Sequence, residues 1–172
     1  MRNVILGLVV ILSSGVIFAA EEPPMVAVLS FKAEGLSEVV SDLLRDDLIY
    51  QLGETGSFRV LEREHMEEIL KEQQFQLTEC FDVECAVKIG KLVGAKYVVF
   101  GTVAFVGGSY LSVVRMVDIQ SGEIVAGART EQEKTKFTLL APKLAEELAM
   151  KVGEGTTFLT KGDIGRLTSK NG

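Results

Sequence analysis

The side chains best suited to metal or redox chemistry in this sequence are few. Cys80, Cys85 and His65 are its only cysteines and its only histidine among 172 residues. A structural zinc site takes four ligands as a rule, so this set falls short. A thioredoxin-type centre places two residues between its cysteines, and here four intervene, in ECFDVEC from Glu79 to Cys85. His65 stands at the start of a charged helical stretch and is read as a solvent-facing residue. Asp47 falls near the middle of an apolar stripe. It is read as the rim of a slightly rotated helix, the alternative being a functional carboxylate. The stretch GEGTTF lacks the third glycine of a phosphate loop, and no GK[ST] follows a glycine-rich turn. GGSYL lacks the second glycine of a nucleophile elbow and sits in a hairpin turn. The other carboxylates lie on helix faces, where solvation accounts for them. No catalytic residue, cofactor site or metal site is assigned, and the expected function is non-enzymatic.

What the cysteines do depends on the compartment. Residues 1–20, MRNVILGLVVILSSGVIFAA, combine one basic residue, Arg2, an apolar run and a small-residue exit at Ala19-Ala20 before Glu21-Glu22-Pro23-Pro24. This layout is expected of an export signal cleaved after Ala20, although Phe18 stands where a small residue is preferred. The alternative is an uncleaved anchor, since Val4 to Ala20 reaches the lower edge of the roughly 17–25 residues that cross a bilayer. The segment holds no cysteine, so this reading offers no lipid-attachment site. Its removal takes away one of 18 Lys and Arg, against 24 Asp and Glu, and moves the net charge from −6 to −7. That balance disfavours nucleic acid as a partner, because phosphate binding needs a basic patch. Outside the cytoplasm a disulfide is permitted. Cys80 lies two residues before Asp82, a candidate helix cap, and Cys85 lies in the first turn after it. A chain bending into a helix can bring such a pair within bonding range. On export the expectation is therefore a Cys80–Cys85 staple; the alternative is two free thiols, with Cys85 buried on an apolar stripe.

The elements that must carry these residues follow from periodicity. Met25–Phe31 reads as a buried strand. Leu36–Leu52 reads as a helix with Leu36, Val40, Leu43, Leu44, Leu48 and Leu52 inward, ended by Gly53 and Gly56. Phe58–Arg63 reads as a second strand. Glu64–Gln74 reads as a charged helix with Met66, Ile69 and Leu70 inward and Glu67 four residues before Lys71. Val83–Val93 is expected to be a helix capped by Asp82 and closed at Gly94, with Cys85, Ala86, Ile89 and Val93 on its stripe. Lys96–Phe105, Tyr110–Ile119 and Glu123–Glu131 read as strands joined by turns at Gly107-Gly108-Ser109 and Gln120-Ser121-Gly122. Lys136–Val152 is the closing helix, with Pro142 near its first turn. The order β-α-β-α-α-β-β-β-α implies an α/β (α+β) fold. In it a mixed five-stranded sheet has its first two strands parallel and its last three in an antiparallel meander, with helices packed on it. The expected domain is residues 21–152; residues 153–172 form a Gly-rich tail, read as loose or as a short edge strand.

Three blocks in this order carry a resemblance: FRVLEREHMEEILKEQQFQ, then CAVKIGKLVGAKYVVFGTV after the first cysteine, then MVDIQSGEIVAGA. Together they resemble the periplasmic domain of the CsgG family, which includes the curli secretion channel. Related folds include the LpoB-type activators of peptidoglycan synthases and the amino-terminal domain of TolB. The match runs from about Met25 to Val152. It implies a mixed sheet flanked by helices and a domain that serves protein–protein contact in the periplasm or at the outer membrane. The partners so implied are envelope proteins and further copies of the chain, with the membrane reached only through an uncleaved leader or a partner. The alternative it implies is a subunit of a curli-type channel. Such a channel inserts β-hairpins, yet the three strands from Lys96 to Glu131 are already needed by the core sheet.

Overall fold

A computed structural model describes residues 22–74 and 81–157. The elements follow the expected order: β1 (Met25–Glu34), α1 (Glu38–Glu54), β2 (Arg59–Val60), α2 (Arg63–Glu72), α3 (Val83–Val93), β3 (Tyr97–Val106), β4 (Ser109–Asp118), β5 (Ile124–Glu133), a 3₁₀ turn (Lys134–Leu139) and α4 (Leu140–Thr157). The sheet order is β2-β1-β3-β4-β5. β1 is parallel to both β2 and β3, and β3, β4 and β5 form the antiparallel meander.

The sheet is apolar on both faces at its centre, so it needs two helical layers. On one face α1 and α4 bring Leu44, Leu48, Leu52, Leu140, Leu144 and Leu148 onto Val26, Val28, Val99, Val114 and Met116. On the other, α2 and α3 bring Met66, Leu70, Ala86, Ile89 and Val93 onto Ala27, Leu29, Val98, Phe100 and Val117. This second layer covers only part of its face. Toward the β3–β4 turn the same side carries Lys32, Thr102, Val113, Arg115 and Arg129, which are exposed or half-buried.

Local boundaries have local causes. α3 starts where Asp82 accepts a hydrogen bond from the Cys85 N–H at 2.8 Å, and it ends at Gly94, as its sequence implies. Gly107 and Gly108, at φ 60° and 86°, make the two-residue β3–β4 turn that other residues would strain to adopt. The second strand is shorter than Phe58–Arg63. The Leu61 N–H still donates to the Val26 carbonyl at 2.8 Å, but Glu62 then turns the chain into α2. β1 runs three residues beyond Phe31, because its register slips between Val28 and Phe31 and pairing with β3 resumes as far as Glu34. The closing helix is preceded by the 3₁₀ turn, so Lys136 is not α-helical; Pro142 does fall in the first turn of α4, which continues to Thr157. The expected leader and the rest of the tail lie outside the described residues.

Candidate interaction surface

The sequence-derived chemistry does not converge on one place. His65 lies on the exposed face of α2, with Nδ1 3.7 Å from a Glu68 carboxylate oxygen. Around it are Glu62, Glu64, Glu67 and Lys71 in an open surface groove. Cys85 is half-buried in the first turn of α3, against the α2/α3 layer, and is not a free thiol. Cys80 lies outside the described residues. Asp47 is half-buried at the rim of α1, and its carboxylate accepts from the Gln51 side chain at 3.3 Å. Among the described residues no three His, Cys, Asp or Glu are placed to hold a metal ion. The charged faces of the helices carry local pairs. Glu67 binds Arg63 at 2.6 Å, not Lys71, and this hydrogen bond raises the Arg63 pKa. Glu84 does the same for Lys88 at 2.9 Å. Exposed pairs of this kind contribute little stability.

The unexpected feature is the outer face of α1. Counting leucines placed Leu43 inward. The helix instead buries Ser41, Leu44, Arg45, Leu48 and Leu52, a stripe rotated away from Leu43. Two polar anchors set that rotation. The Ser41 hydroxyl donates to the Phe31 carbonyl at 2.8 Å. The Arg45 guanidinium donates to Ser30 Oγ at 3.1 Å and pairs with Asp42 and Asp46 at 3.1 and 3.0 Å. Both anchors hold α1 to the β1 irregularity, where unpaired backbone and a serine need partners. The consequence is outward: Val39, Leu43 and Tyr50 stand 75%, 58% and 61% exposed. Val39 and Leu43 are one turn apart, and Tyr50 continues the line two turns on. Glu38, Asp42, Asp46, Asp47 and Glu54 lie among and beside them. The neighbouring α4 exposes Met150 on the side away from its buried leucines. An apolar line in an acidic rim cannot do bond chemistry; it can take up a complementary surface. Ser41 and Arg45 were the residues that sequence reasoning missed. The available signal was the Leu43-Leu44 pair, since adjacent helical residues cannot both face a core squarely.

Comparison with known proteins agrees with this architecture. The solved structure of lipoprotein GNA1162 from Neisseria meningitidis is similar with a TM-score of 0.53 at 17% identity, covering 80% of this chain and 100% of that one. The LpoB C-terminal domain from Escherichia coli is similar with a TM-score of 0.53 at 16% identity, covering 65% and 84%. TolB from Acinetobacter baumannii is similar with a TM-score of 0.56 at 11% identity, covering 77% of this chain but only 29% of TolB. Identities this low speak for the fold. No curated protein sequence matches the chain. The family model of the curli production assembly/transport component CsgG matches residues 20–107, more than half of the sequence and everything from β1 through β3. The chain belongs to the CsgG family.

Proposed function

We propose that this protein is an exported, non-enzymatic interaction domain of the cell envelope, accessory to outer-membrane assembly or secretion. The single observation that carries the reading is the solvent-facing Val39, Leu43 and Tyr50 line on α1, set in an acidic rim. Membership of the CsgG family and folds shared with a lipoprotein, LpoB and TolB support an envelope setting. The export-signal layout read in the sequence of residues 1–20 also supports export. The occupant that fits is an envelope protein presenting an apolar patch ringed by Lys and Arg, because the chain carries net charge −6 and α1 is its acidic edge.

Affinity capture from the native envelope tests this. Leu43→Lys and Tyr50→Lys change exposed positions, so the fold is retained while the captured partner is lost. Leu92→Lys, also exposed but on α3, across the sheet from α1, serves as control and keeps the partner. A partner captured equally by all three variants would refute the α1 reading. Heat-resistant rings in detergent, with capture unaffected, would favour the alternative of a curli-type channel subunit.

A further inference from the structure

β5 is a ten-residue strand at one edge of the sheet, and among the described residues no further strand pairs with it. The Lys134 N–H donates to the Gly108 carbonyl at 3.2 Å, which continues the β4–β5 register by one pair. In an antiparallel ladder both backbone groups of alternate residues point the same way. Even-numbered residues of the stretch 126–134 therefore turn to β4, and Gly127, Arg129, Glu131 and Glu133 turn outward. A second contact agrees: the Lys151 ammonium reaches round to donate to the Gly127 carbonyl. A lysine on an edge is a familiar guard against strand pairing. Here it blunts one carbonyl and leaves Arg129 to Glu133 uncapped, since no described side chain bonds their backbone groups. Arg129 and Glu131 are exposed, and neither has an ion-pair partner among the described residues.

We propose that β5 pairs antiparallel with β5 of a second copy, about a two-fold axis through Thr130. Parity restricts the choice. Outward-facing residues must meet outward-facing residues, so the axis passes through a residue and not between two. An axis at Arg129 sets two arginines face to face. Axes at Glu131 and Gln132 each create glutamate–glutamate pairs, and one at Ala128 creates no charge pair. The axis at Thr130 sets Arg129 of each copy opposite Glu131 of the other. This gives two opposite-charge pairs on one face and no like-charge pair, with threonine opposite threonine on the other face; both are favourable cross-strand combinations. The product is a continuous ten-stranded sheet closed by an isologous contact. This surface is separate from the α1 line, so the two proposals stand or fall independently.

Sedimentation of the full-length protein over a wide concentration range tests the pairing. The wild type dimerises. Arg129→Glu and Glu131→Arg each place like charges opposite one another twice and raise the dimer dissociation constant about tenfold or more. Mixed together, the two single variants restore a heterodimer of wild-type strength, because each supplies the charge the other lacks; a merely structural role for either residue would not produce this. A wild type that stays monomeric at all concentrations overturns the proposal and leaves the edge to another protein's strand or to the chain's own tail. A dimer indifferent to both substitutions, or single variants that fail to rescue each other, overturns it too.

Discussion

Substituting Gly90 by alanine sets two effects of opposite sign against each other. Gly90 is buried in the middle of α3, and alanine is about 1 kcal/mol more favourable than glycine inside a helix. A methyl group built there would lie 2.4 and 2.5 Å from Ile119 Cδ1 and Cγ1 and 2.9 Å from Val98 Cγ2. Those distances are far inside carbon–carbon contact. Ile119 and Val98 are themselves buried, so neither can swing into solvent. Overpacking a filled core costs about 1–3 kcal/mol, and displacing two β-carbon-branched neighbours belongs at the upper end. Net destabilisation of about 1–2 kcal/mol is expected, a fall in melting temperature of about 5 °C for a domain of this size. Urea unfolding of the pair Gly90→Ala and Ile119→Ala, alone and together, checks the cause. Ile119→Ala alone costs about 2–4 kcal/mol through the cavity it leaves. In the Gly90→Ala background it should cost at least about 1 kcal/mol less, because the new methyl occupies that space. Gly53→Ala is the control, since its nearest neighbour would be Val60 Cγ2 at 3.9 Å; here propensity wins and stability rises by about 0.5 kcal/mol. A Gly90→Ala protein that melts higher than wild type, or strict additivity with Ile119→Ala, would refute this reasoning.

Ser112 is fully buried and its hydroxyl has no hydrogen-bond partner among the described residues, so Ser112→Ala should stabilise by about 1 kcal/mol in chemical denaturation. His65→Ala should change stability by less than about 0.5 kcal/mol and leave partner capture unaltered, as expected of an exposed residue with no assigned chemistry. Alkylation of native-source protein without reductant should add no alkyl groups if Cys80 and Cys85 are joined; reduction should then cost about 2 kcal/mol or less, because the closed loop is only six residues. Amino-terminal sequencing of protein from its native envelope should begin near Glu21, and an intact Met1 in the membrane fraction would favour the anchor.

Much of the fold was legible because its punctuation is strong. Asp82 and Gly94 bracket α3 in sequence as they do in space, and the glycines at 107, 108 and 122 mark the turns that divide three strands. Where the sequence misled, the deciding interaction was tertiary. Leucine periodicity alone could not show that α1 turns Ser41 and Arg45 inward, because their reason for burial is the irregular backbone of β1 around Ser30, which no turn residue announces. Glu67 had Arg63 and Lys71 at equal spacing on either side, and the rule for helical pairs favoured the lysine. The structure puts the pair at the first turn with Arg63 instead. The candidate surface was invisible for the same reason as the rotation, since Leu43 becomes a surface residue only once Arg45 claims the core side.

The burial of β3–β5 also bears on the channel alternative. Each of these strands is ten residues long, about the length that crosses an outer membrane. A membrane strand, however, keeps one lipid-facing apolar side and one polar side. β3 is buried on both, with Val98 and Phe100 under α2/α3 and Val99 and Val103 under α1/α4. β4 divides Val117 from Val114 and Met116 in the same way. Peeling β4 and β5 from the sheet would uncover Leu144 and Leu148 and break the ladder that completes β3. The energy holding these strands together is the energy that holds the domain together. Within the described residues the antiparallel meander is therefore core, and the surfaces proposed above for partners lie outside its packed faces, on α1 and along the outer edge of β5.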